Sequence, residues 1–138
     1  MKNIVLKFAT LFICLFALSS AVQASTIYVT PYFSFMYKDI NAPSYTYTIH
    51  YAIENSDHVL TQWYQLSSTT FPPNQWNTFQ ASSSIPVTEP AGPPIPVLCY
   101  RYVMIFDRSD GTRVRGVSAW ATAAGLQNNS LTISVLFP

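Results

Sequence analysis

Residues 45–54 alternate between apolar and polar side chains with a period of two. Tyr45, Tyr47, Ile49, Tyr51 and Ile53 fall on one face of an extended chain, and Thr46, Thr48, His50, Ala52 and Glu54 on the other, the pattern of a half-buried strand. Residues 26–38 are rich in β-branched and aromatic side chains and predict an earlier strand, with Pro31 marking an edge or a bulge. Asn55-Ser56-Asp57 is turn chemistry, and residues 59–66 predict a further strand after it. A last strand spans 130–137, entered through Asn128-Asn129. No window of a dozen residues carries a helical period; 119–126 comes nearest and is interrupted by Gly125.

The best-defined unit is a hairpin over 97–122. Residues 97–107 form its first strand, Ser109-Asp110-Gly111 its turn and 112–122 its return. A three-residue loop with Gly111 in the left-handed conformation sets Arg108 opposite Thr112 and Asp107 opposite Arg113. That register matches opposite charges across the strands. It puts Tyr100, Tyr102, Met104, Phe106, Val114 and Trp120 on a core face. Arg101, Asp107, Arg113 and Arg115 share the other face with Val103, Ile105 and Val117. Five prolines in 86–96 predict an extended, polyproline-like surface crossover, and Pro72-Pro73-Asn74 predicts a turn.

These elements predict an all-β domain, a two-sheet antiparallel sandwich of immunoglobulin-like size with six to seven strands. The competing architecture is a closed barrel, including a small outer-membrane one. Residues 45–54 would suit its alternation, whereas 97–106 are apolar on nearly both faces, as in a central sandwich strand.

Composition then says where this domain begins. Lys2 and Lys7 precede an uncharged stretch over 8–18, and Val22-Gln23-Ala24 follows the small-x-small rule of signal-peptidase cleavage. As a helix the stretch would span ~16 Å, too short for a bilayer core of about 30 Å. Residues 1–24 are therefore expected to be a secretory signal, cut after position 24 or, by the similar Ser19-Ser20-Ala21, after 21. A single domain over 25–138 follows, in the periplasm or outside the cell, with no stable membrane insertion after cleavage. Removing 24 of 138 residues changes the formal net charge from +1 to −1, since five basic residues then face six acidic ones. That balance lacks the electrostatic footprint of a nucleic-acid binder. A chain 49% hydrophobic, 15% aromatic and 9% charged also has the opposite composition to a disordered one. Cys14 leaves with the signal, so Cys99 has no intramolecular disulfide partner. The apolar neighbours of Cys99 predict a buried, inert thiol.

Little in the sequence points to catalysis. His50 and His58 are the only histidines, Asp57-His58 lies in a turn, and no nucleophile-elbow motif or close carboxylate pair is present. Two separated histidines and a cysteine make no zinc pattern, and Asp107 to Gly111 lacks the ligand alternation of a calcium loop. The domain is expected to be non-enzymatic, without cofactor or metal.

Two constellations point to binding instead. Trp63 is flanked by Gln62 and Gln65, and Trp76 by Gln75 and Asn77. An indole offers a sugar ring a flat apolar face and the amides offer directional hydrogen bonds. The competing reading is that these indoles fill the core while their neighbours point outward. Arg101, Arg113 and Arg115 on one sheet face could grip an anionic glycan, a lipid phosphate or an acidic protein patch, or could simply be solvated edge guards. The expectation is a binding module for a glycan or an extracytoplasmic protein partner. Trp76, Trp63, Gln75, Asn77, Arg101, Arg113 and Arg115 are its candidate ligand residues. The alternatives are an accessory subunit of a surface assembly that pairs strand edges, with oligomerisation, and a small secreted enzyme.

Overall fold

Thr30-Pro31 divides what the alternation treats as one N-terminal strand. Proline has no N–H for a ladder, and the chain changes partners there. The first part, β1 (Ser25–Val29), and the second, β2 (Tyr32–Lys38), enter different sheets. The computed structural model describes residues 25–66, 70–89, 98–128 and 131–138. The expected signal and its cleavage site, most of the proline-rich run and part of the Asn128-Asn129-Ser130 segment lie outside the described residues.

The alternating segment becomes β3 (Tyr47–Asn55), followed by β4 (Tyr64–Leu66), β5 (Asn77–Gln80) and β6 (Ile85–Glu89). The hairpin supplies β7 (Tyr100–Arg108) and β8 (Arg113–Val117), and the chain closes with β9 (Thr132–Leu136). The described residues thus hold nine strands rather than six or seven. Pro31 splits one strand, and the short β5 and β6 lie in the stretch where prolines obscure the pattern. Pro86 sits inside β6, opposite Tyr28 of β1. In a two-stranded ribbon every second N–H points away from the partner, so a proline can be accommodated without losing a ladder bond.

The fold is an all-β sandwich. One layer is a four-stranded antiparallel sheet in the order β4-β3-β7-β8, the other a three-stranded sheet in the order β5-β2-β9, with the β1-β6 ribbon beside them. The β2–β9 pair is parallel, a departure from a wholly antiparallel sandwich. Parallel neighbours need a long crossover, and here the whole domain between β2 and the C-terminal strand provides it. The hairpin register is as the charges dictate: Asp107 pairs with Arg113, and the Arg108 N–H donates to the Thr112 carbonyl at 2.8 Å around Gly111 at φ 91°.

Aromatic rings fill the space between the layers. Phe33, Phe35 and Tyr37 alternate inward from β2 and meet Tyr102, Phe106 and Tyr47 of the other sheet, with ring centroids 4.3 Å apart for Phe33–Tyr102 and 5.1 Å for Tyr37–Phe106. Each such pair contributes about 0.5–1.5 kcal/mol beyond its area burial. Where the edges of the two layers meet, β8 presents Gly116. A Cβ there would lie 2.5 Å from Ile133 Cγ2 and 2.6 Å from Val135 Cγ1, so glycine permits the approach of β8 to β9.

Charge also enters the interior. Arg108, the last residue of β7, turns inward and donates from Nη1 to Asp39 Oδ2 at 2.8 Å; Nη2 donates to Asp110 Oδ2, also at 2.8 Å. The Tyr47 hydroxyl donates to Asp39 as well, and the guanidinium lies over the rings of Tyr45 and Phe137. Burial pushes the Asp39 carboxyl up, but the Arg108 guanidinium, the Asn41 N–H and the Tyr47 hydroxyl outweigh it and hold the group below its ordinary value. Cys99 is half-buried rather than buried.

Candidate functional site

The strand partners of the central β3–β7 pair are each interrupted once, in the same way and at the same level. On one side, Glu54 pairs with Leu60 but Tyr51 with Tyr64, so residues 61–63 oppose Ala52 and Ile53 with one residue in excess. On the other, Val103 pairs with Val117 but Tyr100 with Ala121, so residues 118–120 oppose Arg101 and Tyr102 with one in excess. Each is a one-residue bulge. Ile53 and Tyr102 are themselves paired across β3 and β7, so the two bulges flank one row of the sheet.

A hydroxyl residue opens each bulge. The Thr61 N–H donates to the Ile53 carbonyl at 2.9 Å, and the Ile53 N–H returns to the Thr61 Oγ1 at 3.0 Å. The Ser118 N–H donates to the Tyr102 carbonyl at 3.0 Å, and the Tyr102 N–H returns to the Ser118 Oγ at 3.0 Å. In both, the side-chain oxygen stands where a ladder carbonyl belongs, then donates onward to the next residue's carbonyl, at 3.2 Å to Gln62 and 2.8 Å to Ala119. Two residues after each hydroxyl stands a tryptophan, in Thr61-Gln62-Trp63 and Ser118-Ala119-Trp120.

A bulge shifts the alternation by one and re-aims every side chain beyond it. In an unbroken ladder Trp120 would oppose Tyr100 and point into the core, the orientation the periodicity predicts. With the bulge it faces Arg101 on the outer side and is 41% exposed, with the Arg101 guanidinium 4.3 Å from its ring centroid. Trp63 is 40% exposed on the same outer face. Neither indole fills the core.

Ala52 and Val103 belong to the outer face yet are fully buried, covered by the side chains of that face. Glu54 is beside them, only 5% exposed, and serves as a hub. Arg101 Nε donates to its Oε2 at 2.6 Å, His58 Nδ1 lies 3.1 Å from its Oε1, and Arg115 Nη2 stands 3.6 Å from Oε2. The Arg101 hydrogen bond, despite burial, holds the Glu54 carboxyl below its ordinary value, helped by His58 and Arg115. His58 takes part from a turn in which it adopts φ 62°.

Toward the hairpin turn the face opens into a groove of about 310 Å³ lined by Trp63, His50, Ile105, Asp107 and Arg113. Arg113 binds Asp107 in a fork, Nε to Oδ1 at 2.5 Å and Nη2 to Oδ2 at 3.1 Å, which raises the Arg113 pKa. His50 Nδ1 is 3.9 Å from Asp107 Oδ2, outside hydrogen-bond distance. The carboxylate is committed to arginine rather than orienting an imidazole, so this pair lacks the geometry of a catalytic relay. The groove offers an apolar ring face, an apolar floor and a rim of planar polar groups. A second groove of about 330 Å³, lined by Asn55, Asp57 and Thr61 as well as Ile53, Leu60 and Val87, offers no indole or guanidinium.

Of the candidate residues, the structure brings together Trp63, Arg101, Arg113 and Arg115 on the outer face of the four-stranded sheet. It separates the other three, which lie at the entry to β5 in the other sheet. Trp76 is 55% exposed there. Asn77 is buried, its Nδ2 donating to the carbonyls of Pro72 and Gln75, so its amide holds the turn. The sequence places Glu54 on a polar strand face, His58 in a solvated turn and Trp120 in the core, so none of the three is among the candidate ligand residues. The Thr/Ser-x-Trp repeat was the signal that could have found Trp120. Among the described residues no three His, Cys, Asp or Glu side chains gather into a possible metal site, and no helix is long and apolar enough to cross a membrane.

Fold and site together define a β-sandwich with an aromatic and arginine-bearing outer face. Comparison of the chain with known protein families, characterised proteins and solved structures finds no match.

Proposed function

We propose that the domain is a non-catalytic binding module, exported to the periplasm or cell exterior, which recognises a glycan on the outer face of its four-stranded sheet. The observation that carries this reading is the groove in which the exposed Trp63 indole meets the Asp107–Arg113 fork and His50 over the apolar Ile105 floor. Sugar rings present one apolar face and a rim of hydroxyls, and this lining supplies a stacking surface with fixed donors and acceptors beside it. Asp107 and Arg113 are tied down by their fork before any ligand arrives, which lowers the entropy lost on binding.

A protein partner would draw on the same surface, yet the groove is rimmed by His50, Asp107 and Arg113 rather than forming a broad apolar patch. Assembly through strand edges has less to work with. Away from the β8–β9 side, the layers end in β4 and β5, which are three and four residues long, and the β1–β6 ribbon has edges of five residues, one of them interrupted by Pro86, all short for an extended ladder. The test is a tryptophan-fluorescence titration of a Trp76→Phe, Trp120→Phe double variant with a panel of neutral and acidic oligosaccharides. A saturable shift in Trp63 emission with at least one of them is expected. Unchanged emission across the panel, with the fold intact by circular dichroism, rejects the reading.

A further inference from the structure

We infer that the ligand is an acidic oligosaccharide that lies across the outer face from Trp63 to Trp120 and places an anionic group against Arg115. This inference rests on the glycan reading above and adds the length and charge of the ligand.

Length follows from the paired bulges. Both indoles are turned to the outer face by the same device, one from the β4 side beside Ala52 and one from the β8 side beside Arg101, two rows apart along the central strand pair. The backbone positions that carry them are three interstrand spacings apart across the sheet, at about 4.8 Å each, and two residues apart along it, at about 3.3 Å each, which makes ~16 Å. One sugar ring cannot touch both; a chain of several can. Ala52 and Val103, paired on the outer face between the two bulged strands, are fully buried under the side chains of that face. Trp120 is held in place by the Arg101 guanidinium on its ring, and Arg101 by Glu54, so the second platform is fixed.

Charge follows from counting what each guanidinium already does. Arg101 is committed to Glu54 and Arg113 to Asp107. Arg115 lies on the outer face between them, its side chain 53% exposed. Its nearest carboxylate oxygen, Glu54 Oε2, is 3.6 Å away and already accepts from Arg101. Three arginines against two carboxylates leave the face positive by one with the histidines neutral, and the donors of Arg115 are the ones that can turn to an arriving anion. A guanidinium fork fits a planar carboxylate in two parallel hydrogen bonds.

The experiment compares tetragalacturonate, a neutral tetrasaccharide of galactose, galacturonic acid alone and polyglutamate by isothermal titration calorimetry. The proteins are the wild type, Arg115→Gln and Trp120→Ala, each checked for an unchanged urea midpoint. Tetragalacturonate should bind about tenfold tighter than the neutral chain, a difference of ~1.4 kcal/mol. The advantage should vanish in Arg115→Gln and in about 1 M NaCl, where the Debye length falls to ~3 Å. Trp120→Ala should weaken the tetrasaccharides severalfold and leave the monosaccharide unchanged. Equal binding of the acidic and neutral chains to the wild type, an acidic preference that survives Arg115→Gln, or polyglutamate binding as tightly as the sugar overturns the inference; in the first two cases the glycan reading stands. Binding of no saccharide by any protein overturns both.

Discussion

Adding one methyl group at Gly116 tests how closely the two layers approach. In Gly116→Ala the new Cβ would sit 2.5 Å from Ile133 Cγ2 and 2.6 Å from Val135 Cγ1, where carbon atoms prefer separations of about 3.5–4.0 Å. Both neighbours are buried, branched close to the backbone and part of the core, so neither can swing into solvent. Each must retreat by roughly 1 Å, or β8 must move away from β9. Overpacking of this kind costs about 1–3 kcal/mol, and at about 4 °C per kcal/mol for a domain of this size the melting temperature should fall by ~4–12 °C. Urea denaturation should show a lower midpoint with an unchanged slope. Val135→Ala removes one of the two clashing groups, so the Gly116→Ala, Val135→Ala pair should lose less than the sum of its single variants, by on the order of 1 kcal/mol. A Gly116→Ala protein within about 0.5 kcal/mol of the wild type, an ordinary surface effect, would refute the close approach. Strict additivity with Val135→Ala would do the same.

Three further outcomes are expected. Ser118→Ala takes away the acceptor of the Tyr102 N–H and should destabilise by about 1–3 kcal/mol, as for a buried donor left unpaired; Trp120 emission should change with it, and an unchanged midpoint and spectrum would contradict the bulge geometry. Arg108→Met leaves the Asp39 carboxylate buried beside only the Tyr47 hydroxyl and the Asn41 N–H, so it should lower the melting temperature more than the Asp39→Asn, Arg108→Met pair does; the opposite order would show that the charges are not coupled. Glu54 is held below its ordinary 4.5 by Arg101, so its contribution to stability is complete above pH 4.5 and is lost as the pH falls through the lower folded value. Glu54→Gln should therefore show a shallower acid loss of stability in urea titrations below about pH 4.5 than the wild type, and parallel curves would remove Glu54 from the account.

Local periodicity made much of the fold legible. Tyr47, Ile49, Tyr51 and Ile53 point inward as their alternation requires, and the Asp107–Arg113 pair and Gly111 lock the hairpin register. The nonlocal features were not legible, because each depends on a contact between distant residues. The Thr30-Pro31 break reads as an edge or bulge until β6 is seen to claim β1. The parallel seat of β9 depends on the space left beside β2. Trp120 shows the point most clearly. An unbroken alternation sends it inward, and a single hydrogen bond to the Ser118 hydroxyl, by admitting one extra residue, sends it out. Glu54 lies on the polar face by pattern but is buried by Arg101, whose strand is 47 residues away in sequence.

The site has the same division. The arginines at 101, 113 and 115 share a face because β7 and β8 alternate regularly there, which the charges already indicated. That Trp63 joins them and Trp76 does not is a matter of which sheet each tryptophan's strand enters.

The central claim is that ligand recognition belongs to the outer face of the four-stranded sheet and rests on Trp63. The most direct measurement compares tetragalacturonate dissociation constants of Trp63→Ala and Trp76→Ala with the wild type. Trp63→Ala should weaken binding by about tenfold or more, ~1.4 kcal/mol, while Trp76→Ala, whose indole lies on the other sheet, binds as the wild type does. Loss of binding in Trp76→Ala with Trp63→Ala unaffected would contradict the account and move recognition to the entry of β5.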